Sequence, residues 1–177
     1  HQTHSTVVTK AEAANLASEQ DAAYTREAGL ACCVMTADCL PVFFWTASGD
    51  QVAVAHAGWR GLANGILSNT LQTFSVPSQV ICGIGPAISK SHFEVGSDVR
   101  DAFACWPGAD QAFESAPRPN KYWCDLANLA AFQLLALGVR NVYFSSRCTF
   151  AESHHFYSYR RDGRTGRMAN LIWQTPN

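Results

Sequence analysis

Residues 36–61 read TADCLPVFFWTASGDQVAVAHAGWRG, and their pattern decides what kind of sheet the chain builds. Pro41 cannot donate to a ladder and belongs at a strand's edge or start, which predicts a bend at Asp38 and Cys39 and then a strand over 42–45. Ser48-Gly49-Asp50 is a hairpin signal, so 51–56 returns as a strand with Val52, Val54 and His56 on one face and Ala53 and Ala55 on the other. Gly58 and Gly61 bracket Trp59 and Arg60, after which the apolar spacing predicts a helix over 62–74. Neighbours in a regular strand face opposite ways, but in a bend both Asp38 and Cys39 can approach one site. His56 ends its strand next to a helix start, where free amides and the positive helix end favour anions.

Working outward, β-prone residues at 5–8 follow His1 and His4 and predict a short strand. The Ala-rich stretch 11–25 has good helix propensity but poor periodicity, and is expected to be a loop with some helix. The run LACCVM at 30–35 is apolar throughout and suits a strand covered on both faces. Beyond the central stretch the reading is a strand over 80–84, a short helix over 97–105 capped by Ser97 or Asp98, and a proline-rich loop over 106–120. Asp125 caps a helix over 126–137 that Gly138 ends, and strands are expected at 142–145, 156–159 and 168–173. This alternation is too irregular for a doubly wound sheet. It predicts an α+β fold, mixed β-sheets flanked by helices, with residues 1–177 as a single domain.

The 177 residues, 47% hydrophobic and 15% charged, are enough for one real core. A net charge of -1 supplies no global field toward nucleic acid or an anionic membrane. No apolar run approaches the ~18 residues of a membrane span. The seven cysteines are odd in number and mostly inside apolar runs, which points to a reducing compartment, the cytoplasm, rather than to a disulfide framework. No protein partner is implied.

His4, Cys39 and His56 each end a β-like segment, and two imidazoles with a thiolate make a three-ligand set for zinc that leaves a fourth position open. The same atoms allow a metal-free arrangement, with Cys39 as nucleophile, His56 as base and Asp38 as orienter. Residues 140–177 carry six arginines against Glu152 and Asp162, and guanidinium forks suit phosphate or carboxylate. Of these, Arg160 follows the aromatic run 156–159 and can reach a ring-lined cleft, whereas Arg164 and Arg167 read as a solvated turn. Arg60, with Trp59 at the helix start, is the stronger anion candidate.

The motifs HQTHS, TADCLPV, AHAGWRG, IGPAIS, FEVGSDV, KYWCDLANLA and FYSYRRDGRTGRMANLIW, in this order, resemble the YfiH-type family, also called the laccase-domain or multicopper polyphenol oxidase family. The likeness runs from His1 to about Trp173. It implies a zinc enzyme, with copper as the other metal, that phosphorolyses adenosine, inosine, guanosine and methylthioadenosine and deaminates adenosine. It also implies two alternatives: a copper-dependent polyphenol oxidase and a hydrolase editing peptidoglycan precursors. The family's metal ligands fall on His4, Cys39 and His56. Full-length members begin with a strand region before the Gln-x-His motif, so the present chain is expected to lack part of that sheet; Ser5 stands where glycine is common.

Overall fold

The computed structural model describes residues 2–12 and 19–176. Its elements, in chain order, are β1 (Val8–Lys10), β2 (Ala22–Thr25), β3 (Cys32–Thr36), β4 (Leu40–Thr46), β5 (Val52–Ala57), α1 (Trp59–Ala63), α2 (Ile66–Leu71), β6 (Val80–Ile84), β7 (Glu94–Gly96), α3 (Ser97–Ala102), β8 (Phe113–Ser115), β9 (Lys121–Cys124), α4 (Leu126–Ala136), β10 (Asn141–Phe144), α5 (Tyr159–Asp162) and β11 (Met168–Ile172). The main sheet runs β1-β2-β5-β4-β6-β10, parallel at its two ends and antiparallel in the middle. A two-stranded sheet pairs β11 with β3, and a three-stranded one runs β7-β9-β8. The α+β class with mixed sheets is as expected.

The hairpin β4–β5 is the centre of the structure, and β5 is buried along its whole length. Its alternation sorts the packing. Ala53, Ala55 and Ala57 join the large core with Leu62, Ile66 and Leu67 of the helices, where small side chains let α2 lie close to the sheet. Val54 faces the other way, into a small second core with Ala23, Cys32 and Val34 under the β3–β11 sheet. His56 shares Val54's face, so its ring is carried to the junction of the two sheets rather than into the helical core. The bend is where the proline argument put it: residues 37–39 leave the strand and Asp38 takes a positive φ of 87°. Asp125 caps α4 by accepting from the Asn128 amide at 3.0 Å, and Gly138 ends it at φ 94°.

Elsewhere tertiary context overrode the local pattern. Residues 22–25 are a strand, not loop or helix, because they fill the slot between β1 and β5; residues 13–18 of the same Ala-rich stretch lie outside the described ones. The first strand begins at Val8 rather than Ser5, because Thr3, His4 and Ser5 are held by a side chain described below. The helix expected over 62–74 is two short ones, starting at Trp59 and broken at Gly65, whose φ of 96° no α-helix accommodates. β3 is covered on one face only, Cys33 and Met35 being exposed. The aromatic run 156–159 is not a strand: Ser158 caps the turn of helix at Tyr159–Asp162 by accepting from the Arg161 amide. β7, β8 and β9 escaped the sequence reading because three- and four-residue strands carry almost no periodicity.

Candidate metal centre and anion cleft

Asp21, fully buried just before β2, builds the site. Its carboxylate accepts from the amides of Thr3 (3.1 Å), His4 (3.1 Å) and Ser5 (2.6 Å), from Ser5 Oγ (2.7 Å), and from His56 Nδ1 (2.7 Å). Burial pushes its carboxyl up, but the bonds from His56, Ser5 and Thr3 outweigh that and hold it at about 2. An ionised carboxylate only accepts, so His56 carries its proton on Nδ1 and turns Nε2 outward. Burial lowers the affinity of the His56 ring for a second proton despite Asp21, which keeps it neutral and fit to ligate. Sequence reading missed Asp21 altogether.

The same carboxylate fixes His4 at a positive φ of 60° and brings its ring edge-on to His56, centroids 4.8 Å apart. Cys39 Sγ lies 3.7 Å from His4 Nε2, and the ligand atoms of His4, Cys39 and His56 all lie within 4.8 Å of one another. Zinc bonds of about 2.0–2.3 Å arranged tetrahedrally hold ligand atoms roughly 3.3–3.8 Å apart, so the donors need little movement. Among the described residues this is the one group of three or more such side chains able to hold a metal. Burial, with Asp38's charge, pushes the Cys39 thiol up to about 12, against the pull of Arg167 and Arg60. That suits a sulfur whose thiolate form waits for a cation, and does not suit a free nucleophile activated by His56.

Gly58 leaves the space this cluster occupies. A Cβ there would stand 2.6 Å from His4 Cδ2 and 3.0 Å from Cys39 Sγ. Gly58→Ala is therefore expected to displace the His4 ring and lower metal affinity by about tenfold while the fold, whose core lies elsewhere, survives; chelator competition with circular dichroism as control measures it.

The cluster opens into a cleft of about 870 Å³ whose wall includes Trp59, Arg60, Phe93, Tyr159, Arg160 and Arg167. Arg60 stacks on Trp59 at 4.3 Å. Arg160 lies over Phe93 at 5.1 Å and donates through Nη1 to Glu94 O at 3.0 Å. Arg167, read from sequence as part of a solvated turn, instead reaches the cleft; one of its nitrogens donates to the carbonyls of Thr165 and Gly166. Among the described residues none of these three guanidinium groups forms an ion pair. The helix amides contribute less than expected, since Leu62 N already donates to Gly58 O at 2.9 Å.

Asp38 points away from the metal cluster. Its carboxylate accepts from Thr149 Oγ1 (2.6 Å), Ser158 Oγ (3.0 Å) and the Arg160 amide (2.6 Å), tying the bend to the segment that carries Arg160. Arg161 straps the same segment by donating to the carbonyls of Thr149, Phe150 and Phe156. His154 and His155 are exposed on that loop.

The structure is thus a mixed-sheet α+β fold whose His-Cys-His cluster, able to hold a metal ion, faces a cleft lined by arginines and aromatic rings. The chain belongs to the family described as multi-copper polyphenol oxidoreductase laccase, whose family model matches residues 1–175. Over 174 residues it is 44% identical to the protein named purine nucleoside phosphorylase PA4543 of Pseudomonas aeruginosa, covering 97% of this chain and 72% of that one. It is 46% identical over 155 residues to purine nucleoside phosphorylase YfiH of Escherichia coli, covering 86% of this chain and 63% of the relative. The crystal structure of Neisseria meningitidis protein NMB0706, of DUF152, superposes with a TM-score of 0.95 at 49% identity, covering 99% of this chain and 73% of that one. YlmD of Geobacillus stearothermophilus gives 0.89 at 34% identity, covering 98% and 71%.

Proposed function

We propose that the cleft is the active site of a metal-dependent purine nucleoside phosphorylase acting on adenosine, inosine, guanosine and methylthioadenosine, with adenosine deamination as a second activity, in a cytoplasmic protein whose residues 1–177 work as one domain. The observation that carries this is the juxtaposition, in one cleft, of a three-ligand cluster, three arginines and aromatic rings. Relatives named for the activity support it.

His4, Cys39 and His56 would hold zinc, copper being the other candidate, and when bound the metal supplies Lewis acidity and a water acidic enough for deamination. Arg60 and Arg167, beside the cluster, neutralise inorganic phosphate and hold it for attack on the ribose C1′. The new bond is phosphate oxygen to C1′, the N-glycosidic bond breaks, and the purine leaves with the electron pair and takes up a proton. The Phe93, Trp59 and Tyr159 rings offer faces for the flat base. Asp38 acts at one remove: by fixing the Arg160 amide it sets where that guanidinium enters the cleft.

The test is metal analysis of purified protein beside an assay for adenine or hypoxanthine release with and without phosphate. About one zinc per chain and phosphate-dependent release are expected; release indifferent to phosphate sinks the reading. Arg60→Ala should raise the KM for phosphate by about tenfold or more with little change in nucleoside KM, the loss of roughly one charge-assisted contact. A copper-dependent phenol oxidase predicts oxygen uptake on copper titration instead; a single three-ligand cluster among the described residues offers no second, coupled copper site.

A further inference from the structure

We propose that Cys148, cradled by Ser89 and flanked by His92, is a second reactive centre: a thiol that is oxidised to a sulfenic acid by small hydroperoxides. The sulfur is fixed by a β-bridge between Ala87 and Cys148, with Thr149 N donating to Ala87 O at 3.0 Å. On this rigid frame Cys148 Sγ receives three donors: Ser89 Oγ at 3.0 Å, the Ser89 amide at 3.4 Å and the Ala151 amide at 3.5 Å. His92 Nδ1 lies 3.7 Å from the sulfur and 3.2 Å from Ser89 Oγ, and the imidazole is held in place by stacking on Phe150 at 4.6 Å. The nearby acid, Glu152, accepts from the Cys148 amide and is paired with Arg147, so its charge is offset.

Ser89, which touches the sulfur, and Arg147, the residue before Cys148, line a second cleft of about 800 Å³ that shares only Ile88 with the metal cleft; Cys148 and His92 themselves are not among its lining residues. Cys148 is half-buried. Burial raises this thiol's affinity for its proton, but the Ser89 hydroxyl and the surrounding amides more than reverse it, whereas burial drives Cys32, Cys82 and Cys124 up to about 12.

In the reaction the thiolate attacks one oxygen of the hydroperoxide. The S–O bond forms as the O–O bond breaks, sulfur gives up two electrons, and the departing oxygen takes a proton from His92 or solvent and leaves as water or an alcohol. None of this involves the nucleoside chemistry, so the two readings fail separately. The experiment treats purified metal-loaded protein with limiting iodoacetamide, or with hydrogen peroxide followed by dimedone, and maps the adducts by peptide mass spectrometry. Cys148 is expected to alkylate about tenfold faster than the exposed Cys33 and Cys105 and to carry the dimedone adduct. Ser89→Ala should slow Cys148 by about fivefold or more at neutral pH while the Cys105 rate, the internal control for folding, stays unchanged. Alkylation of Cys148 no faster than Cys105, or a rate indifferent to Ser89→Ala, overturns the proposal.

Discussion

Asp21→Asn is expected to weaken metal binding by about 10–100-fold and to destabilise the apo-protein by roughly 3 kcal/mol. Five donors converge on this one buried carboxylate, from Thr3, His4, Ser5 and His56. An asparagine side chain keeps one accepting oxygen and brings two N–H donors into a pocket already full of donors, so several bonds are lost and none is regained. His56 then loses the anchor that selects its Nδ1–H tautomer, and His4 loses the hold on its left-handed backbone. Competition with a chromogenic chelator measures the first effect and urea unfolding the second. The pH dependence has a definite sign. Because the folded carboxyl sits at about 2, below its ordinary 3.8, its contribution is complete above about pH 4 and is lost as pH falls through 2. Stability of the apo-protein across that window should therefore fall less steeply in Asp21→Asn; an unchanged slope removes Asp21 from the role assigned to it.

Cys39→Ala is expected to take zinc from about one per chain to almost none and to cut phosphate-dependent base release by about 100-fold or more. Cys39 sits half-buried at the end of the bend, outside both hydrophobic cores, so the fold should persist. The apparent melting temperature should drop only by the amount that bound metal contributes, and added zinc should no longer raise it. Retention of both metal and phosphorolysis would remove the cluster from the mechanism. Loss of metal with phosphorolysis intact would leave the arginines and rings as the whole of the catalytic apparatus.

These two predictions differ in how far the chain itself announces them. Cys39 was legible because Pro41 forces a bend beside it, and His56 because a glycine pair ends its strand. Asp125 was legible as a cap because its partner, Asn128, is three residues away. Asp21 was not, because its partners are backbone amides, the Ser5 hydroxyl and a histidine 35 residues along, and an aspartate inside an alanine-rich stretch has no distinguishing neighbours. Arg167 misled for the same reason: in sequence it belongs to a glycine-rich turn, and only the pairing of β11 with β3 carries that turn to the cleft. The run Phe156-Tyr157-Ser158-Tyr159 has a strand's composition, yet Asp38, some 120 residues upstream, accepts from Ser158 and Arg160 and makes a helical turn there the better-satisfied conformation.

The sequence by itself determined the α+β class, the central hairpin, the bend and the three residue types able to bind a metal, because alternation, proline and glycine geometry and donor chemistry act over a few residues. Only the tertiary structure decided that His4, Cys39 and His56 meet, that Asp21 orients two of them and that three arginines face them. Those contacts join segments dozens of residues apart, and each depends on which strand lies beside which, a choice made by burial of the whole core rather than by any local preference.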